Sequence, residues 1–411
     1  MDLSMLNPQQ RIAAETLEGP VLVLAGAGSG KTRALTYRVA NLIDHGIDAG
    51  SILALTFTNK AAREMKRRIE ALIGPDAEYA WISTFHSTCA RILRRDIEKL
   101  GYSRSFTIYD DDDQTTLVKA ILKQLNIDDS FLSQRDVKHA VSEAKNALKT
   151  PDEWFSSSDR SYRSQMLHDI MVQYGTRLKA MNALDFDDML MKTLELLSEH
   201  PPVLESYRNR FQYVLVDEYQ DTNYAQYEFV RLLTAQSGNL CVVGDDDQSI
   251  YGWRGADIRN ILDFAKDFPA ATVIKLEQNY RSTANILDAA NQVIAHNFGR
   301  MEKALWTEKP EGELIRVYEG GDEREEAAWV ADRIRGFYKS GIRYGSFAVL
   351  YRNNAQSRVL EEMLSRSGIP YRIFGGLRFY DRKEIRDVLA YLRTINNPSD
   401  DLSLRRIINV P

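Results

Sequence analysis

One short segment limits what this chain can fold into more than any other: Ala25-Gly26-Ala27-Gly28-Ser29-Gly30-Lys31-Thr32. It follows the apolar run Val21 to Ala25 and opens a helical pattern that continues to Ile43. Closely spaced glycines let successive backbone N–H groups converge on one point. The helix N-terminus behind them adds a dipole that favours an anion. A lysine and a hydroxyl residue after the last glycine complete a phosphate cradle. Lys31 would reach the terminal phosphates and the Thr32 hydroxyl would bind Mg²⁺. The strict pattern has glycine where this chain has Ala25. A dinucleotide fingerprint is excluded, because the glycine spacing is wrong and Lys31 follows directly.

A strand–turn–helix of this kind belongs to a parallel sheet covered on both faces. The same rhythm recurs in Ile52 to Phe57 and Trp81 to Thr84, each followed by a helical pattern. It resumes in Tyr213 to Val216, Leu240 to Val243 and Val273 to Leu276. From Asp110 to about Arg208 only helical patterns and polar loops occur, too long a stretch for one crossover. It reads as a helical insertion whose first helix starts among Asp110 to Asp113, where acidic residues favour a helix N-terminus. Thr150 to Ser161 reads as a loop or short connector. Leu314 to Tyr318 and Phe347 to Tyr351 read as strands of a second α/β region, with a helix from Glu323 to Lys339 between them.

Composition narrows the class further. Over 411 residues, 44% hydrophobic and 27% charged is an ordinary globular balance. Cys89 and Cys241 are too few for a disulfide framework or a four-cysteine zinc site, so a reducing, cytoplasmic setting is expected. No signal peptide is evident, and no apolar run approaches the roughly 20 residues of a membrane span. The net charge of −5 argues against indiscriminate coating of nucleic acid. It leaves room for a local basic groove, because binding follows the local field. Lys60, Arg63, Lys66, Arg67 and Arg68, and Arg91, Arg94 and Arg95, are clusters of that sort. Charge runs are more often solvated helix faces.

A phosphate cradle needs an acidic partner, and Val214-Leu215-Val216-Asp217-Glu218 supplies it. Asp217 at the strand end would hold the Mg²⁺ shell, and Glu218 would orient and deprotonate an attacking water. A further strand ends in Gly244-Asp245-Asp246-Asp247-Gln248. Gln248 is a candidate sensor of the terminal phosphate, while Asp246 and Asp247 read as a capped turn. In Gln278-Asn279-Tyr280-Arg281-Ser282, Arg281 suits transition-state charge stabilisation. From spacing alone it fits a structural ion pair equally well.

Together these segments resemble the UvrD/PcrA/Rep group of superfamily 1 DNA helicases. The resemblance rests on Leu6 to Gln10, Ala25 to Thr32, Thr56 to Ala62, Ser83 to Ser87, Val216 to Asn223, Val243 to Ala256 and Gln278 to Ser282, in family order. It implies RecA-like parallel-sheet domains: 1–109 and 185–278 as the first, 110–184 as its helical insertion, 279–378 as an incomplete second, and 379–411 as the start of another insertion. It implies ATP and Mg²⁺ as cofactors, with Gln10 reading the adenine edge and Arg33 and Tyr280 sandwiching the base. It also implies translocation along single-stranded DNA from 3′ to 5′, unwinding at single-strand/duplex junctions, and DNA repair or replication proteins as partners.

Phe57, Asn59, His86, Phe186, Tyr251, Trp253 and Arg254 fall on segments that line the family's DNA track. Aromatic faces that stack on bases, beside polar and basic groups, are what a single strand requires. Trp253 is the strongest, since Gly252 and Gly255 imply a loop. Phe186 also fits the apolar helix face of Met189, Leu190, Thr193, Leu194 and Leu197. No further family motif is found after Arg378 to Glu384. The sequence is therefore expected to be an N-terminal portion that binds nucleotide but hydrolyses it poorly and does not unwind alone. A helicase–nuclease motor and an ATP-gated DNA clamp are the alternatives. The clamp has no use for a hydrolytic base such as Glu218.

Overall fold

The computed structural model describes residues 1–374 and 382–410, in two compact units. The first holds Met1–Gly312 together with the chain from Leu389 onward, and the second holds Glu313–Val388.

The first unit is built on β1 (Val21–Ala25), β2 (Ile52–Thr56), β3 (Trp81–Thr84), β6 (Tyr213–Val216), β7 (Leu240–Gly244) and β8 (Thr272–Leu276), after the small strands β4 (Thr107–Ile108) and β5 (Ala183–Leu184). The six form one parallel sheet in the order β3-β2-β6-β7-β1-β8. Every residue of β1, β2, β6 and β7 is buried, whereas the edge strand β8 exposes Val273. Side chains of a strand alternate between faces, and two apolar clusters divide them. Leu22, Leu24, Leu53, Leu55, Val214, Val216 and Val242 pack into one; Val21, Val23, Ala54, Leu215, Cys241 and Val243 pack into the other. Both cysteines are free and buried.

The second face is covered by α2 (Lys31–Asp44) and α3 (Asn59–Ile73), with α1 (Pro8–Glu15) beside them. The first face is covered by α4 (Phe85–Asp96), α9 (Phe186–Glu199), α10 (Pro201–Arg210) and α11 (Tyr224–Thr234). The basic residues of α3 lie on its solvent side, where Glu64 pairs with Arg67 and Arg68 at 2.9 and 2.8 Å. Arg91 and Arg94 stack on Trp81 and Phe106.

Between β4 and β5 the chain forms α5 (Asp111–Gln124), α6 (Gln134–Asn146), α7 (Pro151–Ser156) and α8 (Tyr162–Ala180), which share a separate apolar cluster. Asp110 caps α5. The expected loop at Thr150–Ser161 is instead partly helical. Thr150 and Glu153 form a reciprocal capping box around Pro151, which is preorganised for the first helical position. Because β4 and β5 pair in parallel, the chain enters and leaves this helical bundle side by side. After β8 come α12 (Ala284–Ile294), then α13 (Glu323–Lys339) and α14 (Ser357–Arg366) of the second unit, then α15 (Lys383–Asn396) and α16 (Asp401–Ile407).

Returning to the first unit, Asn397 donates to Thr107 Oγ1 and to the carbonyls of Met181 and Asn182, while Tyr109 donates to Asp400 at 2.7 Å. In the second unit Ala331, Ile334, Leu364 and Ile369 form a small core. The strands expected at Leu314–Tyr318 and Phe347–Tyr351 are absent: no ladder pairs either segment with any described residue. Phe347 and Val349 pack on the small core, while Val317 and Leu350 are each 93% exposed. An apolar run supplies side chains for a strand, but only a neighbour supplies its hydrogen bonds. Part of the segment Arg378 to Glu384 lies outside the described residues. Among the described residues no helix is long and apolar enough to cross a membrane.

A buried ion triad joins the bundle to the sheet domain. Lys145 of α6 lies 2.6 Å from Asp185 and 2.7 Å from Asp188 at the start of α9, and Tyr174 donates to Asp185. Removing one partner of such a group strands the others. Lys145→Met is therefore expected to lower unfolding free energy by about 3–5 kcal/mol. Urea unfolding at neutral pH measures it, and a loss below about 1 kcal/mol would show that the triad does not secure the bundle.

Candidate functional site

The glycine loop bridges the end of β1 and the start of α2. Gly28 and Gly30 have φ of 71° and 86°, a region that L side chains rarely adopt. Space is closed as well: a Cβ on Gly28 would meet Asn279 Nδ2 at 2.7 Å, and one on Gly30 would meet Gln10 Nε2 at 2.5 Å. Ala25 is fully buried as the last residue of β1, so its methyl belongs to the core rather than the cradle. The departure from glycine there has no steric consequence.

The loop is held from outside. Gln10 Nε2 donates to Ser29 O at 2.8 Å, Asn279 Nδ2 to Ala27 O at 2.6 Å, and Tyr280 N to Gly28 O at 3.0 Å. Within it, Ser29 Oγ donates to Gly26 O at 2.7 Å. Gln10 is 1% exposed and its Oε1 accepts from Asn7 N, so here it buttresses the loop. Reading a base edge would require it to exchange one of those bonds. Arg33 sits beside the Gly30 site with its guanidinium 5.8 Å from the Tyr37 ring. Tyr280 is half exposed, and its hydroxyl accepts from Asn7 at 2.8 Å. Gln10, Arg33 and Tyr280 thus gather around the start of α1 and the loop.

The acidic side comes from β6. Lys31 Nζ lies 2.8 Å from Glu218 Oε2. Glu218 has φ 53°, an unusual conformation for a residue other than glycine. Its N–H donates to Asp217 Oδ1 at 3.0 Å. Burial, reinforced by the neighbouring Glu218, pushes Asp217 up to about 6, with Lys31 opposing. Burial also raises Asp221 to about 6, and its Oδ1 is buried without a hydrogen-bond partner. Carboxylates this poorly compensated fit a divalent cation, and the Thr32 hydroxyl at the first turn of α2 is a suitable companion to Asp217.

Gln220 carries the network onward. Its Nε2 donates to Glu218 at 3.1 Å and its Oε1 accepts from Asp245 N at 2.9 Å. Gln248 Nε2 in turn donates to the Asp245 carboxylate. Asp246 and Asp247 do open a capped turn, and in addition Asp246 pairs with Lys303, and Asp247 with Lys303 and Arg300. Asp245 is the residue whose side chain caps the turn. Arg281 is exposed beside Gly28 and has no ion-pair partner among the described residues, so the structural ion-pair alternative finds no support. Gln220, Asn279, Arg300 and Lys303 had no assigned role in the sequence reading. The first two lie inside recognised motifs, whereas the last two carry no local signal.

The remaining candidates form two groups. Phe57 is half-buried against Phe85 at 5.8 Å, and Asn59 accepts from Ser87 at 3.5 Å. His86 contacts Phe186 edge-on at 5.9 Å, and burial lowers the imidazole's proton affinity. Phe186 is 47% exposed while Met189, Leu190, Thr193, Leu194 and Leu197 are buried, so it does not belong to that apolar face. Tyr251, Trp253 and Arg254 occupy the loop after β7. Trp253 is 71% exposed and Arg254 stacks on it at 4.5 Å.

The raised Asp217 has a measurable consequence. Between its ordinary value of 3.8 and about 6 the folded protein keeps a proton that the unfolded chain releases. That contribution is complete below pH ~4 and is lost as pH rises through ~6, amounting to about 3 kcal/mol. Asp217→Asn should therefore be more stable than the parent at pH 7.5 and no more stable at pH 4. Urea midpoints at both pH values test this, and parallel profiles would refute it.

Comparison with known proteins bears on the same residues. Residues 6–269 match the family model described as the UvrD/REP helicase N-terminal domain, and residues 274–411 that described as the UvrD-like helicase C-terminal domain. The second match covers the region where sequence reading finds no further motif. The ATP-dependent DNA helicase PcrA of Staphylococcus epidermidis is 54% identical over 407 residues, spanning 99% of this chain and 56% of that protein. PcrA of Staphylococcus aureus is 54% identical over 411 residues, 100% of this chain and 56% of its own length. The chain spans about half the length of the curated relatives it matches. With a P-loop after β1, an Asp-Glu pair after β6 of the same sheet, and both family models matched in order, this chain belongs to the UvrD/REP helicase family.

Proposed function

We propose that the chain carries the ATP-hydrolysing part of a motor that moves along single-stranded DNA from 3′ to 5′ and opens duplex at single-strand/duplex junctions. The observation that carries this reading is one continuous polar path: Lys31, Glu218, Gln220, Asp245 and Gln248. Three residues beyond Gln248 lies the loop with Tyr251, Trp253 and Arg254. A change at the phosphate end therefore reaches the aromatic loop through bonded groups rather than through bulk packing.

The chemistry follows from the ion pair. Lys31 is held by Glu218 in the absence of phosphate. Incoming phosphate oxygens compete for the ammonium, and the Glu218 carboxylate is released. Freed, it can orient a water and take its proton as the water oxygen bonds to the terminal phosphorus and the bond to the β-phosphate oxygen breaks. Mg²⁺, which Thr32 and Asp217 would hold, supplies charge neutralisation at the phosphates. Arg281, unpaired beside Gly28, can be donated to the developing charge. Gln10, Arg33 and Tyr280 would hold the base.

On the DNA side, Trp253 and Tyr251 offer exposed faces for bases, with Arg254 adding charge. Phe57, Asn59, His86 and Phe186 extend the track along the ends of β2 and β3. Repair or replication proteins would be the partners of such a motor. The clamp alternative is disfavoured by the presence of Glu218, because a clamp has no use for a hydrolytic base.

Glu218→Gln is expected to lower ATP turnover by on the order of 10²–10⁴ while ATP binding persists. Turnover and equilibrium nucleotide binding measured together test this. Undiminished turnover would remove Glu218 from the reaction. Trp253→Ala should weaken single-strand binding by about 1–3 kcal/mol. Arg254→Ala should reduce the salt dependence of binding by about one phosphate contact. Binding isotherms at several salt concentrations separate the two, and unchanged affinity in both variants would move the DNA track elsewhere.

A further inference from the structure

Lys303 is an unusual residue: its side chain is 2% exposed, and it faces three consecutive carboxylates. Its ammonium is 2.9 Å from Asp245 and pairs with Asp246 and with Asp247, while Arg300 takes Asp247 with two nitrogens at 2.9 and 2.7 Å. Met301 N donates to Asp246 at 2.8 Å. The group that could have held a cation is thus filled by the protein's own ammonium. A lysine is taken out of water only where pairing compensates its lost hydration, so this arrangement fixes its partners tightly.

The partner that matters is Asp245. One carboxylate oxygen meets Lys303 and the turn N–H of Asp247, and the other accepts from the Gln248 amide. Lys303 therefore determines which way Asp245 points, and Asp245 determines where the Gln248 amide is held. Two residues further on, Leu305 lies against Gly26, where a Cβ would come within 2.2 Å of its methyl group. The stretch from Arg300 to Leu305 thus touches both the phosphate loop and the turn that carries Gln248.

We propose that Lys303 is a positioning residue for recognition of the terminal phosphate, acting through Asp245 on Gln248. The proposal rests on the ATP reading given above. Lys303 has no contact with substrate in it. Its effect is to keep Gln248 aimed, so the loss on removing it should resemble the loss of Gln248 itself.

The test compares affinities for ADP and for adenosine 5′-(γ-thio)triphosphate in this chain and four variants: Lys303→Met, Lys303→Arg, Gln248→Ala, and Lys303→Met combined with Gln248→Ala. The parent should prefer the triphosphate. Lys303→Met and Gln248→Ala should each reduce that preference by roughly tenfold, the worth of one charged hydrogen bond, with ADP affinity unchanged. The combined variant should lose no more than either alone, because the two act in series. Lys303→Arg keeps the charge but not the compact shape, so it should fall between parent and Lys303→Met.

Lys303→Met leaves buried carboxylates uncompensated. Should it fail to fold, Lys303→Met with Asp246→Asn removes one of those charges and is expected to show the same lost preference. Several results would overturn the proposal: an unchanged preference, losses that multiply in the combined variant, equal weakening of both nucleotides, or a parent without preference. A parent that binds neither nucleotide would instead refute the ATP reading itself.

Discussion

The ion pair between Lys31 and Glu218 ties together the two halves of the phosphate site. Lys31 begins the helix after the edge-proximal strand β1, and Glu218 follows the central strand β6 by two residues, with β7 between the two strands. Both lie at the carboxyl ends of strands two places apart in the sheet, and the lysine side chain spans the gap to the carboxylate. The pair is partly exposed, with side chains 11% and 39% accessible, so it adds little net stability. Its value is that it is exchangeable. An anion can displace the carboxylate at small cost, and the left-handed turn at Glu218 keeps that carboxylate aimed at the site once it is free. Asp217, one residue earlier, cannot exchange in this way. It is buried beneath the site, bonded to the Glu218 amide and short of positive charge.

The site is also a product of depth. Apart from Gln10 of α1, the candidate residues on the nucleotide side follow the carboxyl end of a parallel strand or lie in the first turn of the helix after it, which is where crevices form in open α/β sheets. Phe57 and His86 follow β2 and β3 at the same end of the sheet. The candidate nucleotide-side and DNA-side groups therefore share one rigid layer. A fully buried sheet transmits small displacements because its close-packed interior has little room to absorb them.

How much of this was legible in the sequence depends on range. Val21–Ala25, Tyr213–Val216 and Leu240–Gly244 read as strands because uninterrupted apolar runs have few alternatives in a sheet buried on both faces. The start of α5 was legible from Asp110, whose carboxylate accepts from backbone two and three residues on. The helix at Pro151 carried an available local signal, Thr150 with Glu153, that was passed over. Leu314–Tyr318 and Phe347–Tyr351 carried apolar residues but no information about a neighbour. Lys303 was silent for a similar reason: its partners Asp245, Asp246 and Asp247 are all far away in sequence, and nothing near it marks a buried charge. At Phe186 the helical spacing also allowed burial, but the first position of the helix turns outward.

The placement of β1 has a consequence for how the chain is made. Its two sheet neighbours, β7 and β8, begin at Leu240 and Thr272, and the amide that steadies the glycine loop comes from Asn279, 252 residues after the carbonyl it meets. During synthesis the most apolar strand of the molecule thus waits, with both edges bare, while more than half of the chain emerges. Bare edges of apolar strands invite pairing with other chains. The helical bundle between β4 and β5 is complete well before then and has its own apolar core. It offers an early folded body during that interval, while the phosphate site itself can form only near the end of the first domain's translation.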